Sequence, residues 1–192
     1  VNPHWQYADN ELVMVEVYSN VDEVELFLNN QSLGSQRLIN NPDRILKWAV
    51  PFQAGKLTAK AVVNNNTGET TVLEKSIVTT KKAHAILLTT DKTTLAADGY
   101  DVAHITAQLI DESGNPITHS NTEITFDIDG DIRLLGVDNG ASTNIQKHLS
   151  NSLVTHHGRA LLIVQSNLNT TTANIKAESK FLHSNNLIIK TN

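Results

Sequence analysis

Apolar side chains in this chain return at every second residue, and no stretch of a dozen residues keeps a helical spacing. The segment SNVDEVELFLNN, Ser19 to Asn30, shows the pattern most clearly. Val24, Leu26 and Leu28 fall on one alternating set of positions, Glu25 and Phe27 on the other. Successive side chains of a β-strand leave opposite faces of the sheet, so this register predicts a half-buried strand. The Asn29-Asn30 pair that ends it predicts a turn, because Asn tolerates positive φ and bonds its own backbone.

The same rhythm recurs along the chain. ELVMVEVYSN, VELFLN, ILKWAVPF, KLTAKAVVNN and TTVLEKSIVTT are short, rich in Val, Leu, Ile and Thr, and bounded by Asn, Gly, Pro and Asp. After Thr79-Thr80-Lys81-Lys82 it restarts with AHAILLTTD, DVAHITAQLID, TEITFDI, RALLIVQS, ANIKAES and NLIIKT, parted by turn signals such as DESGNP and DNGA. Ile105, Ala107 and Leu109 repeat the two-residue period. Strands at roughly 8 to 12 residue intervals predict an all-β chain of two consecutive immunoglobulin-like β-sandwich domains, residues 1–82 and 83–192.

A chain of 192 residues with 40% hydrophobic content can build ordinary cores. With no cysteine, those cores hold by packing alone, and no thiolate metal site or thiol nucleophile is available. A formal net charge of −5 without a basic cluster is the wrong footprint for a phosphate backbone, so nucleic acid is not expected as a partner. No apolar run approaches the roughly 20 residues that cross a bilayer, so membrane insertion is not expected. The chain opens at Val1 without initiator Met, charged n-region or apolar leader, as a segment of a longer or processed protein would.

Few residues suggest chemistry of their own. Asp127, Asp129 and Asp131 in DIDGD open like a calcium loop, but the glycine position holds Ile132 and the twelfth is Asp138 rather than Glu. A strand-end turn is the expected reading, and no metal is assigned. His156 and His157 are adjacent, with His148 eight residues before them, and neighbours on a strand point to opposite faces. Asp98, Asp101, Asp111 and Glu112 could supply an acid/base carboxyl pair, yet all sit in turn contexts, AADGYD and LIDESG. No G-x-S-x-G elbow is present, so no catalytic residue is assigned. The sequons at Asn30, Asn65 and Asn169 are chance triplets of an Asn-rich chain. Only 5% of the chain is aromatic. Trp48, in the strand centre KWAVPF, is expected as a core anchor; Trp5, near the chain start, is expected to be more open.

NPHWQY, then VEVYSNVDEVELFLNNQSLGSQ, then LKWAVPFQAGKLTAKAV resembles the accessory domain that follows the catalytic barrel in bacterial family 2 glycoside hydrolases, the β-galactosidase group. There the pattern runs PHW, V-x-V-x-SN-x-x-x-VELFLNG-x-S-LG, and W-x-V-P-Y-x-x-G-x-L-x-A. The second half, from LTTDKTTLAADGYDVAHITAQLIDESGNPI through ITFDIDGDIRLLGVDNG, GRALLIVQS and IKAES, is similar to the immunoglobulin-like domain at the C-terminus of the same enzymes. The resemblance covers nearly the whole chain. Asn30 replaces the glycine of the family's N-G turn, Phe52 replaces its Tyr, and Ala141 opens ASTNIQKHLS where relatives carry a charged run.

In that family both catalytic glutamates lie on the upstream (β/α)8 barrel. The resemblance therefore implies a non-catalytic tail that supports the barrel of a β-galactosidase-like enzyme hydrolysing O-glycosidic bonds, by packing, substrate access or oligomer contacts, without cofactor. An alternative is a carbohydrate-binding module with polysaccharide as partner; Trp5, Tyr7 and Tyr100 are its candidate stacking residues. A second alternative is an adhesin stalk, since LAADGYDVAHITAQLIDESGNPI resembles the strand–turn–strand signature of invasin-like repeats. The family further implies a periplasmic or extracellular location.

Overall fold

A computed structural model describes residues 4–64 and 69–192. Pro3 of the PHW block and the sequon at Asn65 lie outside the described residues. The chain divides into two compact units, Val1–Thr80 and Lys81–Asn192. Both are all-β; among the described residues the only helical turn is a short 3-10 segment, Leu38–Asn40.

The first unit is built from β1 (Leu12–Tyr18), β2 (Glu23–Leu28), β3 (Gln31–Arg37), β4 (Ile45–Pro51), β5 (Lys56–Asn64) and β6 (Thr70–Val78). β1 and β4 pair as an antiparallel ribbon, and the other four form a sheet in the order β3-β2-β5-β6. Val24, Leu26 and Leu28 all point into the core, as their alternation predicts. They meet Leu46, Trp48 and Val50 of β4, Phe52, and Leu57 of β5.

Asn29 and Asn30 have φ of 50° and 68° and join the paired residues Leu28 and Gln31, the geometry of a two-residue hairpin turn with both φ positive. Asn29 also has a longer reach. Its amide Nδ2 donates to the Ala54 carbonyl (3.0 Å), and its Oδ1 accepts from the Lys56 N–H (2.9 Å). Gly55 lies between them at φ +140°, where a Cβ would fall 1.8 Å from Asn29 Oδ1. One side chain thus closes its own hairpin and fixes the loop entering β5. Asn29→Ala is expected to cost about 1–2 kcal/mol in urea denaturation, from two lost bonds and a left-handed φ on Ala. A cost below about 0.3 kcal/mol would remove the clamp from the account.

The second unit contains β7 (Ala85–Thr90), β8 (Thr94–Leu95), β9 (Val102–Ile110), β10 (Glu123–Asp129), β11 (Ile132–Asp138), β12 (Ser152–Val154), β13 (Arg159–Ser166), β14 (Thr171–Glu178) and β15 (Leu187–Thr191). Two sheets, ordered β12-β10-β14-β15-β8 and β11-β13-β9-β7, enclose one core. Ala103, Ile105, Ala107 and Leu109 of β9 are buried against Phe126, Leu162, Ile175 and Ile189. β15 and β8 pair in parallel, and Ile86 of β7 makes an isolated parallel bridge to Ser184. This is the immunoglobulin-like sandwich that the two-residue period predicts.

Candidate functional site

Trp5 corrects the expectation of an open indole. It is 1% exposed, its Nε1 donates to the Gln53 carbonyl (3.0 Å), and its ring packs on Phe52 with centroids 5.3 Å apart. An indole covered on both faces cannot stack on a sugar; near the chain start it serves as a plug for the end of the first core. Tyr7 is half-buried beside it, 5.9 Å from Trp5 and 6.0 Å from Phe52. Trp48 is buried as expected, with Nε1 donating to the Gly34 carbonyl (3.2 Å).

Tyr100 and Phe181 are both open aromatics of the second unit, 82% and 80% exposed, and Tyr100 lies on the Asp98–Asp101 turn. Asp98 Oδ1 accepts from the Tyr100 and Asp101 N–H groups (2.8 and 2.9 Å), which fixes the backbone that carries the phenol. Leu168, also exposed, lies against that turn: a Cβ on Gly99 would sit 3.4 Å from its Cδ2. Nearby in sequence, Asn167 and Asn169 donate to the two oxygens of Asp131 (2.5 and 2.8 Å).

The carboxylates that could have formed an acid/base pair are instead turn-formers. Backbone N–H groups of Tyr100 and Asp101 hold the Asp98 pKa below its ordinary value; the Lys92 ammonium (2.6 Å) and the Ala96 N–H do so for Asp101. Asp111 is 2% exposed. Burial pushes its pKa up, but the N–H groups of Asn115, Lys81 and Ser113 and the Asn115 amide outweigh it, and the net direction is down. A glycosidic general acid needs a raised pKa. Among the described residues, every carboxyl with a displaced pKa is displaced downward.

The histidines and the DIDGD turn also have structural partners. His157, at φ 49°, and Gly158 turn the chain between His156 and Arg159, and His157 Nδ1 bonds the Thr118 carbonyl (2.9 Å). His148 Nδ1 is on the Val137 carbonyl (3.1 Å). Among the described residues no three His, Asp or Glu side chains gather where an ion could sit. No described helix is long and apolar enough to cross a membrane.

Asp138 organises the loop where the sequence departs from the family pattern. Its Oδ1 accepts from the Asn139 and Gly140 N–H groups and from Asn144 Nδ2 (2.6, 3.0 and 2.9 Å). Gln146 then bonds both backbone groups of Val154. Amide side chains of Asn144 and Gln146 thus tie this loop to Asp138 and Val154. The D-N-G signal marks a turn but not this network, because Asn144 and Gln146 are ordinary residues until folding brings them to Asp138 and Val154.

The family model described as glycoside hydrolase family 2 C-terminal domain 5 matches residues 86–188, and one described as a domain of unknown function (DUF4982) matches residues 10–68. The beta-galactosidase BoGH2A of Bacteroides ovatus is 32% identical over 94% of this chain, which spans 21% of that protein. A solved glycosyl hydrolase family 2 member from Bacteroides cellulosilyticus superposes with a TM-score of 0.89 at 32% identity, over 99% of this chain and 24% of its own. A beta-glycosidase from Bacteroides vulgatus gives 0.88 at 27% identity, over 98% and 24%. The chain spans only about a fifth to a quarter of these relatives.

Proposed function

The chain belongs to the glycoside hydrolase family 2 C-terminal domain 5 family, and on that premise we propose that it is the tail of a longer β-galactosidase-like enzyme. It is the non-catalytic C-terminal region, and its work is to support an upstream catalytic barrel by packing. One observation carries this reading: a contiguous match along nearly the whole chain covers so small a share of relatives named for glycosidase activity. The downward-shifted carboxyls agree with it, since they offer a glycosidic oxygen no proton near neutral pH. Packing of this kind buries about 600–1,500 Å² between domains. The same reading puts the parent in the periplasm or outside the cell.

Comparing the parental polypeptide with a version lacking these 192 residues tests the proposal. The shortened enzyme is expected to melt several degrees lower on its aryl-galactosidase activity, while the isolated chain hydrolyses nothing. Equal melting of the two forms sinks the supporting role.

Exposure of Tyr100 beside Leu168 favours a second reading, a polysaccharide foothold that raises substrate concentration at the upstream site. Affinity electrophoresis of the isolated chain against galactans and xyloglucan decides it. Retardation abolished by Tyr100→Ala establishes the foothold; unretarded migration on every glycan dismisses it.

A further inference from the structure

We propose that the free edge of β1 is a strand-pairing site, filled by an extended segment from the upstream part of the parental polypeptide, with apolar side chains at alternate positions. The inference rests on the reading of this chain as part of a longer protein. The two sheets of the first unit are unequal: the ribbon β1-β4 faces a sheet of four strands. Their mismatch leaves one side of the core unfinished. Val15, Val17, Val21, Ala59 and Ile77 are only partly buried there. Between the free side of β1 and β5–β6 runs a groove of about 270 Å³, lined by Val15, Val17, Leu26, Leu57, Ala59 and Ile77.

The backbone along the groove is open for pairing. Glu16 lies opposite Lys47, whose N–H and C=O both turn away from β1 to bond the side chain of Gln36. In antiparallel alternation the backbone of Glu16 then also turns outward, and with it those of Leu12, Met14 and Tyr18. One amide side chain thus covers part of β4's outer edge, but among the described residues β1 carries no comparable cover. LVMVEVY has a single charge, no Pro or Gly, and an unbroken register with β4, so it lacks the usual devices that blunt an edge. Its outer face is apolar as well, with Leu12 68%, Met14 59% and Tyr18 60% exposed.

The path of the chain favours an upstream occupant. Trp5 enters the unit at Phe52 and Gln53, beside the end where Leu12 pairs with Pro51. A strand laid antiparallel on β1 finishes at that end and reaches Trp5 without a crossover. Every second side chain of such a strand would enter the groove beside Val15 and Val17, while its backbone takes up the bonds that Met14 and Glu16 offer. This is recognition by strand addition.

Amide-resolved hydrogen exchange tests it on two proteins, this 192-residue chain and the parental polypeptide. The Met14 and Glu16 amides are expected to exchange at least about tenfold more slowly in the parent, with those of Leu26 unchanged. Met14→Pro deletes only an outward N–H, which an edge strand tolerates, and is expected to abolish the difference. The parental comparison stands without the variant should the variant misfold. Equal exchange in the two proteins overturns the inference. So does slow exchange in the short chain, whether independent of concentration or rising with it as a second copy on β1 would produce. A parent with protected β1 and no glycosidase activity keeps this inference and sinks the proposed function; an active parent with unprotected β1 does the reverse.

Discussion

Trp5→Ala is expected to destabilise the first unit by about 4 kcal/mol, because truncating a fully buried Trp removes its transfer free energy and leaves a cavity. The cavity would open between Phe52 and Tyr7, and the Gln53 carbonyl would lose its indole donor. With only two tryptophans in the chain, the variant leaves Trp48 as the single reporter, itself in the same core. Urea unfolding followed by its fluorescence therefore reads the loss directly. Trp5→Phe keeps a ring in the site and is expected to cost less, about 1–2 kcal/mol for reduced packing and the missing N–H. A Trp5→Ala protein within 1 kcal/mol of the unsubstituted chain would show that the indole is not a core residue. Because Trp5 is a buried residue, Tyr100→Ala rather than Trp5→Ala is the variant that addresses glycan binding.

Where burial and period coincide, the structure follows the sequence. In β2 and β9 the core face is continuous, so each residue's side was legible from its neighbours. Asn29-Asn30 was legible as a turn because the chemistry that allows positive φ is local to the pair. Its clamp on Ala54 and Lys56 was not, since those partners lie 25 and 27 residues away. β3 shows the opposite failure. Gln31–Arg37 has no apolar alternation and is mostly exposed; it is a strand because the hairpin turn delivers it to β2. Trp5 was misread for a related reason: its position suggested an open end, but its burial depends on Phe52, 47 residues later. The carboxyls were legible as turn residues, and the directions of their pKa displacement follow from the backbone donors that turns provide.

Asp111→Ala is expected to cost the second unit about 2–3 kcal/mol, although it removes only one small side chain. The carboxylate lies at the end of β9 in the turn that closes on Asn115. Oδ1 accepts from the Ser113 and Asn115 N–H groups (both 2.9 Å), Oδ2 from the Lys81 N–H and Asn115 Nδ2 (both 3.2 Å). Alanine removes an ionised acceptor and leaves four donors without their partner, although the exposed Ser113 and Lys81 let water reach part of the turn. Exchange of the β9 amides measures the loss, and a change below about 1 kcal/mol would make the cluster ornamental. A pH dependence follows from the same geometry. Because the folded pKa lies below the ordinary carboxylate value near 3.9, the contribution is fully present above that value and is lost as pH falls toward the folded one. Asp111→Asn keeps the shape but presents an NH₂ to two donors, so it is expected to be destabilised at neutral pH and to lose less on acidification. Asp98, Asp101 and Asp138 are displaced in the same direction, so the acid slope is expected to shrink in Asp111→Asn rather than vanish. An unchanged slope below pH 4 would mean that the carboxylate's donors hold it no more tightly in the folded state than water does in the unfolded one.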